Sequence, residues 1–268
     1  MNIKLFCIII SILATTGTAF SLHVPFNHPN RKQSFALQQD LRLFYKVTSH
    51  FKLLFEGQMK ESLTTSTTGT PGTGNSQPSS NQKFPEILAF RVGGLYRLQS
   101  NLKIGAYYQL HNRRNHHTGR LNSEHVPMVD IVPRFKLSSR FVAELRLRNE
   151  LNINTGSGQG RITKVWYTIK IRPKITYFLI EDAEFKLGAF FAYEIYIPVN
   201  YGSDRADPFT GEIRPNGMME HWLYTGLVLP FTEKLSLNPY YALRFNRSGG
   251  DHTAAMTHIV GLGLTLNI

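Results

Sequence analysis

Arginine and lysine recur at alternate positions along several segments of this chain. In segment 140–153, Arg146 and Arg148 lie two residues apart, flanked at the same spacing by Glu144 and Glu150. Because successive side chains of an extended strand point to opposite faces, these four residues share one face. Basic groups that line a water-filled passage attract anions and repel cations. The pattern therefore predicts a surface that selects small anionic or polar solutes.

The same spacing places charged residues of other segments on this face. The candidate lumen and selectivity residues are Arg42, Arg91, Arg97, Arg113, Arg134, Arg146, Arg148, Lys164, Lys170, Arg172, Arg244, Glu144, Glu150 and Glu194. Their basic excess favours an anion-preferring, porin-like channel. Asp40, Glu56 and Asp130 share the face, however, and these carboxylates could pair with the arginines and fill a narrow barrel. The sequence leaves an open pore and a closed structural or interaction barrel as equal alternatives.

Alternation of apolar and polar residues identifies the strands that must carry this face. The predicted strands are 35–47, 50–60, 86–98, 101–113, 126–138, 140–153, 162–180, 184–198, 218–231, 235–247 and 254–268. In the alternating segments, the alternate positions that hold the apolar residues contain no charged residue. Each such segment reaches the roughly 9–11 residues that a tilted strand needs to cross a bilayer. One face suits lipid and the other suits water, which predicts a transmembrane β-barrel.

Short and long connections alternate between these strands. Short turns such as 48–49 alternate with long segments such as 62–84, which is typical of short periplasmic turns and long outer loops. The predicted fold is all-β, a single antiparallel transmembrane β-barrel of about 12 strands, or roughly 10–12. Because bacterial barrels have even strand numbers, we expect either a further short strand within 22–33 or one marked strand outside the wall, and we prefer the former. Segment 126–138 is the weakest of the marked strands, since Pro127 and Pro133 each remove a ladder donor.

The N-terminal segment has the features of an export signal. Lys4 precedes an apolar run, and small or hydroxylated residues follow that run. We therefore expect residues 1–21 to be a cleavable signal peptide, residues 22–268 to form one barrel, and the bacterial outer membrane to be its location. Cys7 is the single cysteine and lies in the signal segment. The mature fold then needs no disulfide.

The formal charge of +12 is spread over alternate strand positions instead of being clustered. Nucleic-acid binding usually requires a basic patch or stripe, so together with the export signal this argues against nucleic acid as a partner. We expect contacts with outer-membrane lipid and lipopolysaccharide, recognition by the barrel-assembly machinery, and small anionic solutes. No cofactor and no metal site is predicted, since the adjacent His116 and His117 lack the supporting ligands of a closed site.

An outer-membrane lipid hydrolase is a weaker alternative. It would need a His beside a Ser nucleophile on the barrel wall. The candidate histidines are His111, His116, His117, His221, His252 and His258. No Ser stands at a suitable strand spacing from them, so we assign no catalytic residue and predict that the protein is not an enzyme.

Inward-facing aromatic residues form a second pattern on the predicted lumen face. They could line a sugar-binding track, although packing of the lumen accounts for them better. These residues are Tyr107, Trp166, Phe190, Tyr196, Trp222 and Tyr240.

Four segments carry a family resemblance that extends over most of the mature chain. They read AELRLRNELNI from 143, VWYTIKIRPKITY from 165, FFAYEIYIPVN from 190 and NPYYALRFNRSGGDHTAAMTHIVGLGLTLNI from 238. The combination resembles a domain-of-unknown-function family of bacterial outer-membrane β-barrels, which are small and porin-like. The resemblance implies the fold and the location, and it brings no known substrate.

Overall fold

A computed structural model describes residues 33–62, 87–114, 121–155, 162–181, 186–199, 220–247 and 254–268. The chain divides into two units, Met1–Arg31 and Lys32–Ile268, and all described residues belong to the second. The expected signal peptide, together with His116, His117 and His252, lies outside the described residues. Among the described residues, no helix is long and apolar enough to span a membrane.

The described residues form strands wherever apolar and polar side chains alternate. The strands are β1 (Gln33–Lys46), β2 (Phe51–Ser62), β3 (Ile87–Gln99), β4 (Leu102–Arg114), β5 (Leu121–Lys136), β6 (Phe141–Thr155), β7 (Ile162–Glu181), β8 (Lys186–Pro198), β9 (Glu220–Pro230), β10 (Leu235–Arg247) and β11 (Ala254–Asn267). Their limits lie close to the predicted ones, and only β5 begins clearly earlier than expected. The all-β fold is confirmed. The sequence predicted it because successive side chains of a strand take opposite faces, which gives the apolar residues a period of two.

The barrel closes by parallel pairing of its first and last strands. Consecutive strands pair antiparallel, and β1 pairs in parallel with β11 from Gln33 opposite Met256 to Phe44 opposite Asn267. With an odd number of alternating strands, the first and the last must run in the same direction. The described barrel therefore has eleven strands, within the expected range of roughly 10–12, but not the preferred twelve, since β1 and β11 leave no place between them. Residues 22–32 lie outside the described residues.

Prolines interrupt the hydrogen-bonded ladder on one side of a strand without breaking the wall. Pro127 and Pro133 pair with residues of β4, whereas the register between β5 and β6 skips both positions. Pro173 interrupts the pairing of β7 with β8 in the same way. Proline has no N–H to donate, so one of the two ladders is lost at its position. The neighbouring residues restore both ladders, and β5 stays in the wall.

The inner and outer faces of the wall differ in chemistry. Large apolar side chains on the outer face are exposed, among them Phe90 at 53% and Phe191 at 55%. The charged strand residues whose side chains are described point inward, except Glu61 next to the end of β2. This separation follows the alternation of the sequence and places the polar surface inside the barrel.

Glycines make room for aromatic rings inside the barrel. A Cβ atom on Gly105 would overlap the side chain of Tyr107, and one on Gly261 would overlap the ring of Tyr240. Glycine is required at both positions because a ring from the same strand or a neighbouring one occupies the space that any other side chain would take. Beside Tyr240, the buried apolar cluster consists of Ala36, Ala242 and Ile259, with Trp222, Tyr224 and Tyr240 packed against it.

We predict that Gly261→Ala lowers the free energy of unfolding by about 1–3 kcal/mol, because the added methyl group displaces the ring of Tyr240 in a packed site. Gly57→Ala is the matched control, since a Cβ atom there would meet nothing within 4 Å. Urea unfolding of the two variants in the same detergent measures the difference. Equal stability of both variants would show that Tyr240 moves aside at no cost.

Candidate functional site in the barrel lumen

A cavity of about 570 Å³ runs inside the barrel and is lined by residues of every strand. All of these residues occupy inward strand positions. Towards the long connections the lining includes Ile87, Pro198 and Glu220, and towards the short turns it includes Ser236 and Thr265. The cavity therefore extends through most of the height of the barrel, and much of its wall is charged.

Asp40 joins the strands on both sides of the barrel closure. Its carboxylate is 3% exposed and accepts hydrogen bonds from Gln58 Nε2 at 2.9 Å and Tyr240 Oη at 2.8 Å. Gln38 Nε2 donates a third, at 3.2 Å. A buried carboxylate is costly without such donors. Asp40 thus links β1 to β2 on one side and, across β11, to β10 on the other.

Glu56 and Arg91 continue the polar network from β1 to β4. Arg91 Nη1 donates to Glu56 at 3.0 Å, and Arg42 Nε lies 3.4 Å from the same carboxylate. The other two nitrogens of Arg91 donate as well, because Nε and Nη2 both reach Gln109 Oε1, at 3.0 and 2.6 Å. Each nitrogen of the Arg91 guanidinium therefore donates to a protein group.

Arg148 forms the best-defined ion pair of the lumen. Its Nε and Nη2 donate to the two carboxylate oxygens of Asp130 at 2.6 and 2.7 Å, a bidentate geometry that strengthens such pairs. Both side chains are 6% exposed. Glu150 lies 3.7 Å from Arg148 and accepts from Lys170 Nζ at 2.8 Å. These four residues couple β5, β6 and β7 through charge.

Arg146 and Arg172 differ from this pattern, because only one of these two guanidinium groups contacts a carboxylate. They lie directly opposite each other on β6 and β7. Arg146 Nη2 donates to Glu194 Oε1, and the other oxygen of Glu194 accepts from Tyr224 Oη at 3.3 Å. Within the described part of the chain, Arg172 has no carboxylate within 4 Å. The lumen at this level carries a net positive charge.

An aromatic wall lines the side of the lumen formed by β8, β9 and β10. Its rings are Tyr196, Trp222, Tyr224 and Tyr240, with successive centroids 6.0, 5.7 and 6.3 Å apart. Lys170 Nζ lies 4.2 Å from the centroid of the Tyr196 ring. Cations over aromatic faces are attracted by the ring quadrupole. The wall therefore combines flat apolar surface with positive charge.

The end of the lumen near the long connections is held by paired charges. Arg244 donates to both oxygens of Glu220 at 2.7 and 3.0 Å, and Trp222 Nε1 donates to the same carboxylate at 2.5 Å. On the opposite wall, His111 Nδ1 lies 3.5 Å from Glu124 Oε2. Arg244 and Glu220 balance each other's charge, whereas the His111–Glu124 contact is an ion pair only when His111 is protonated.

The end near the short turns is basic. Lys46 lies opposite Lys52 across β1 and β2, and Arg97 lies opposite Lys103 across β3 and β4. Among the described residues none of these four has a carboxylate within 4 Å, and Lys52 Nζ donates to Asn267 Oδ1 at 3.2 Å. Like charges directly opposite each other repel. This end of the barrel therefore carries a positive potential that attracts anions.

The structure places the predicted lumen residues on inward strand positions. Arg97, Arg134 and Glu144 lie towards the short turns, away from the cavity lining. The side chain of Lys164 lies outside the described side chains. Much of the set is paired with carboxylates, and its role in selectivity stays a prediction. The members of the predicted set that line the cavity are Arg42, Arg91, Arg113, Arg146, Arg148, Lys170, Arg172, Arg244, Glu150 and Glu194.

Sequence reasoning missed several charged and aromatic residues of the lumen. They include Lys52 and Lys103 at the short-turn end, Lys174 in the cavity lining, and the cavity residues Glu220 and Tyr224. Each of them has the parity of its inward neighbours, for example Tyr224 two residues after Trp222. The alternation was therefore sufficient to identify them.

The described histidines of the strands contact residues other than serine. His111 faces Glu124 in the lumen, and on the outer face Tyr193 Oη and Tyr241 Oη lie 2.6 and 2.5 Å from Nδ1 of His221 and His258. A serine–histidine contact that the sequence did not suggest joins the neighbouring Ser49 and His50 in an exposed short turn, at 2.8 Å. Among the described residues no group of three or more His, Cys, Asp or Glu could hold a metal ion.

Comparison with known proteins identifies one family. The family described as "Protein of unknown function (DUF2490)" matches residues 39–254, from within β1 to the start of β11. A solved structure of the NanC porin, in a rhombohedral crystal form, is similar at 13% identity over 85% of this chain and 99% of that chain, with a TM-score of 0.42. None of the curated proteins matches the chain.

We predict that Asp130→Asn lowers the free energy of unfolding by about 3–5 kcal/mol, because it leaves the buried Arg148 without its bidentate partner. Glu144→Gln is the control, since this inward carboxylate has no ion pair among the described residues, and its loss should change stability by less than about 0.5 kcal/mol. Urea unfolding compares the two. Equally small losses of unfolding free energy in both variants would show that Glu150 alone compensates the charge of Arg148.

Proposed function

Because the chain belongs to the family described as "Protein of unknown function (DUF2490)", which assigns no activity, we propose a function from the barrel itself. We propose that the protein is a pore of the bacterial outer membrane that favours small anionic or polar solutes. In this proposal residues 1–21 direct export and are removed, and outer-membrane lipid, lipopolysaccharide and the barrel-assembly machinery are its partners.

The observation that carries the proposal is the lumen cavity. It reaches from Glu220 and Pro198, next to the long connections, to Ser236 and Thr265, next to the short turns. A barrel whose interior was packed solid would not contain about 570 Å³ of space bordered by every strand. A polar passage of this extent supports movement of small solutes through the barrel.

The distribution of charge supports a preference for anions. Positive groups without carboxylate partners among the described residues occur at two levels, Arg172 inside the cavity and the pairs Lys46–Lys52 and Arg97–Lys103 at the short-turn end. Rings of basic side chains raise the local concentration of anions and exclude cations. The basic end would concentrate anions and the cavity would then accept them.

The outer face supports insertion into a bilayer. The strands are 11 to 20 residues long, and a tilted strand needs roughly 9–11 residues to cross the hydrocarbon core. Apolar side chains such as Phe90 and Val92 are exposed on this face. In water such a surface would favour association, whereas in lipid it is the stable arrangement.

A second candidate, a closed structural or interaction barrel, is favoured by the ion pairs. Asp130, Glu56 and Glu194 all hold arginines inside the lumen. Paired charges reduce both the free space and the field that an ion meets. Measurement of conductance separates this candidate from the pore.

We predict stable openings with anion preference when the refolded protein is placed in a planar bilayer under a salt gradient. In the double variant Arg97→Gln/Lys103→Gln, the anion-to-cation permeability ratio should fall about twofold or more, because two charges are removed from the basic end. The reversal potential under the salt gradient measures this ratio.

The matched control for this measurement is Arg140→Gln/Lys234→Gln. Both residues are exposed in short turns, so the same number of charges is removed outside the lumen and the ratio should change little. A protein that is folded but carries no current would contradict the pore and favour the closed barrel. Equal effects of the two double variants would contradict selection by the lumen.

We also predict that Val92→Arg destabilises the protein in lipid vesicles by about 2–4 kcal/mol, because it places a charge at an outward-facing position in the middle of β3. Val47→Arg is the control, since Val47 is equally exposed, 48% against 45%, but follows the end of β1 in a short turn. Its cost should be about 0–1 kcal/mol. Equal costs in vesicles would argue against a membrane-spanning wall.

A further inference from the structure

Two arginines face each other in the middle of the lumen with too few acceptors between them. Arg146 on β6 lies directly opposite Arg172 on β7, and both line the cavity. Side chains directly opposite each other in an antiparallel pair are close neighbours, and like charges in these positions destabilise the sheet. The arrangement therefore carries a cost unless a negative group lies between or beside the two guanidinium groups.

Most of the carboxylates nearby are already engaged. Glu194 accepts from Arg146 and from Tyr224, and it is the one carboxylate in contact with this pair among the described residues. Asp130 is held by both arms of Arg148. Glu150 accepts from Lys170 at 2.8 Å. Glu144, the remaining carboxylate beside the pair, lies opposite Lys174. No described carboxylate lies within 4 Å of Arg172.

The hydrogen bonds of the two arginines also show that this site lacks an acceptor. The Nε atoms of Arg146 and Arg172 are both buried and have no hydrogen-bond acceptor among the described residues. A buried donor without an acceptor loses the hydrogen bond that it makes to water, and a buried charge loses more. Two such donors on facing strands, at the edge of a cavity, form a site that lacks an acceptor.

A third cation extends the site along the same strand. Lys174 follows Arg172 on the inward face of β7 and lines the cavity. It lies opposite Glu144 of β6 but has no carboxylate within 4 Å among the described residues. Its ammonium lies 4.6 Å from the centroid of the Phe190 ring, so its position is defined by packing. The unpaired positive charge of the cavity is therefore concentrated on β7.

We propose that Arg172, together with Arg146 and Lys174, binds an oxyanion in the lumen, through a carboxylate or phosphate group of the ligand. Guanidinium forks match the oxygens of both groups and bind them through paired N–H donors. Glu194 holds Arg146 in place and lowers the net charge of the site. The site thus takes one oxyanion and releases it readily, which suits a passage for solutes.

This site deepens the proposed pore and rests on it only for access of the ligand to the lumen. Binding can be measured without conduction, so the two proposals fail independently. The probes are inorganic phosphate and acetate, titrated by calorimetry into the full-length folded protein in detergent micelles at constant sodium chloride. Phosphate tests a tetrahedral oxyanion, acetate tests a planar one, and the constant sodium chloride keeps ionic screening the same in all titrations.

We expect phosphate, acetate or both to bind, and Arg172→Gln to weaken the binding about tenfold or more. Arg172→Lys keeps the charge without the planar fork, so its affinity should lie between those of the original protein and Arg172→Gln. Glu194→Gln removes the competing carboxylate and should strengthen binding. Arg140→Gln, in an exposed short turn, is the control and should leave the affinity unchanged. Heat-dependent electrophoretic mobility verifies that each variant is folded.

Equal affinity of the original protein and folded Arg172→Gln would overturn the site, as would weaker binding in Glu194→Gln. The absence of binding of both probes to the folded original protein would overturn it as well. Binding that depends on Arg172 in a protein that carries no current would retain the oxyanion site and reject the pore. Conduction without such binding would retain the pore and reject the site.

Discussion

Closure of the backbone ladder between β1 and β11 is the constraint on which the rest of this structure depends. An open edge would leave a row of unpaired N–H and C=O groups, which are costly in lipid and prone to association in water. Parallel pairing of the two strands removes both edges. Closure also turns the inward positions of all strands towards one space. Asp40 of β1 and Tyr240 of β10 can form their hydrogen bond because closure places both strands beside β11.

Gathering the charged face of every strand into one lumen brings groups together that would be solvated separately on an open sheet. Each of them then needs a partner or water, since isolated buried charges are strongly disfavoured. Arg148 with Asp130 and Arg91 with Glu56 meet this need within the protein. Basic residues outnumber acidic ones in the chain, 30 to 18, so the balance is not complete. The surplus on the inner wall lies at Arg172, at Lys174 and at the short-turn end.

The lumen is also asymmetric in shape. On the side of β3 and β4, the ring of Tyr107 fills the space over Gly105 and does not line the cavity. The opposite side, from β7 to β11, keeps the cavity open down to Ser236 and Thr265. The unpaired cations of β7 and the aromatic wall of β8 to β10 border this open side. The ring of Tyr107 over Gly105 thus fills one side of the lumen, and the space remains on the other.

The sequence by itself determined the strands, their approximate limits and the face that each side chain takes, because alternation is a local property of the backbone. It also determined most of the charged candidates, since their parity follows from the same rule. Strand number and parallel closure were decided only by the tertiary structure, because no local pattern records which distant strand is a neighbour. The same holds for the partner of each charge. Arg148 and Arg172 have the same type and parity, and only the cross-strand register gives one a bidentate carboxylate and leaves the other facing Arg146.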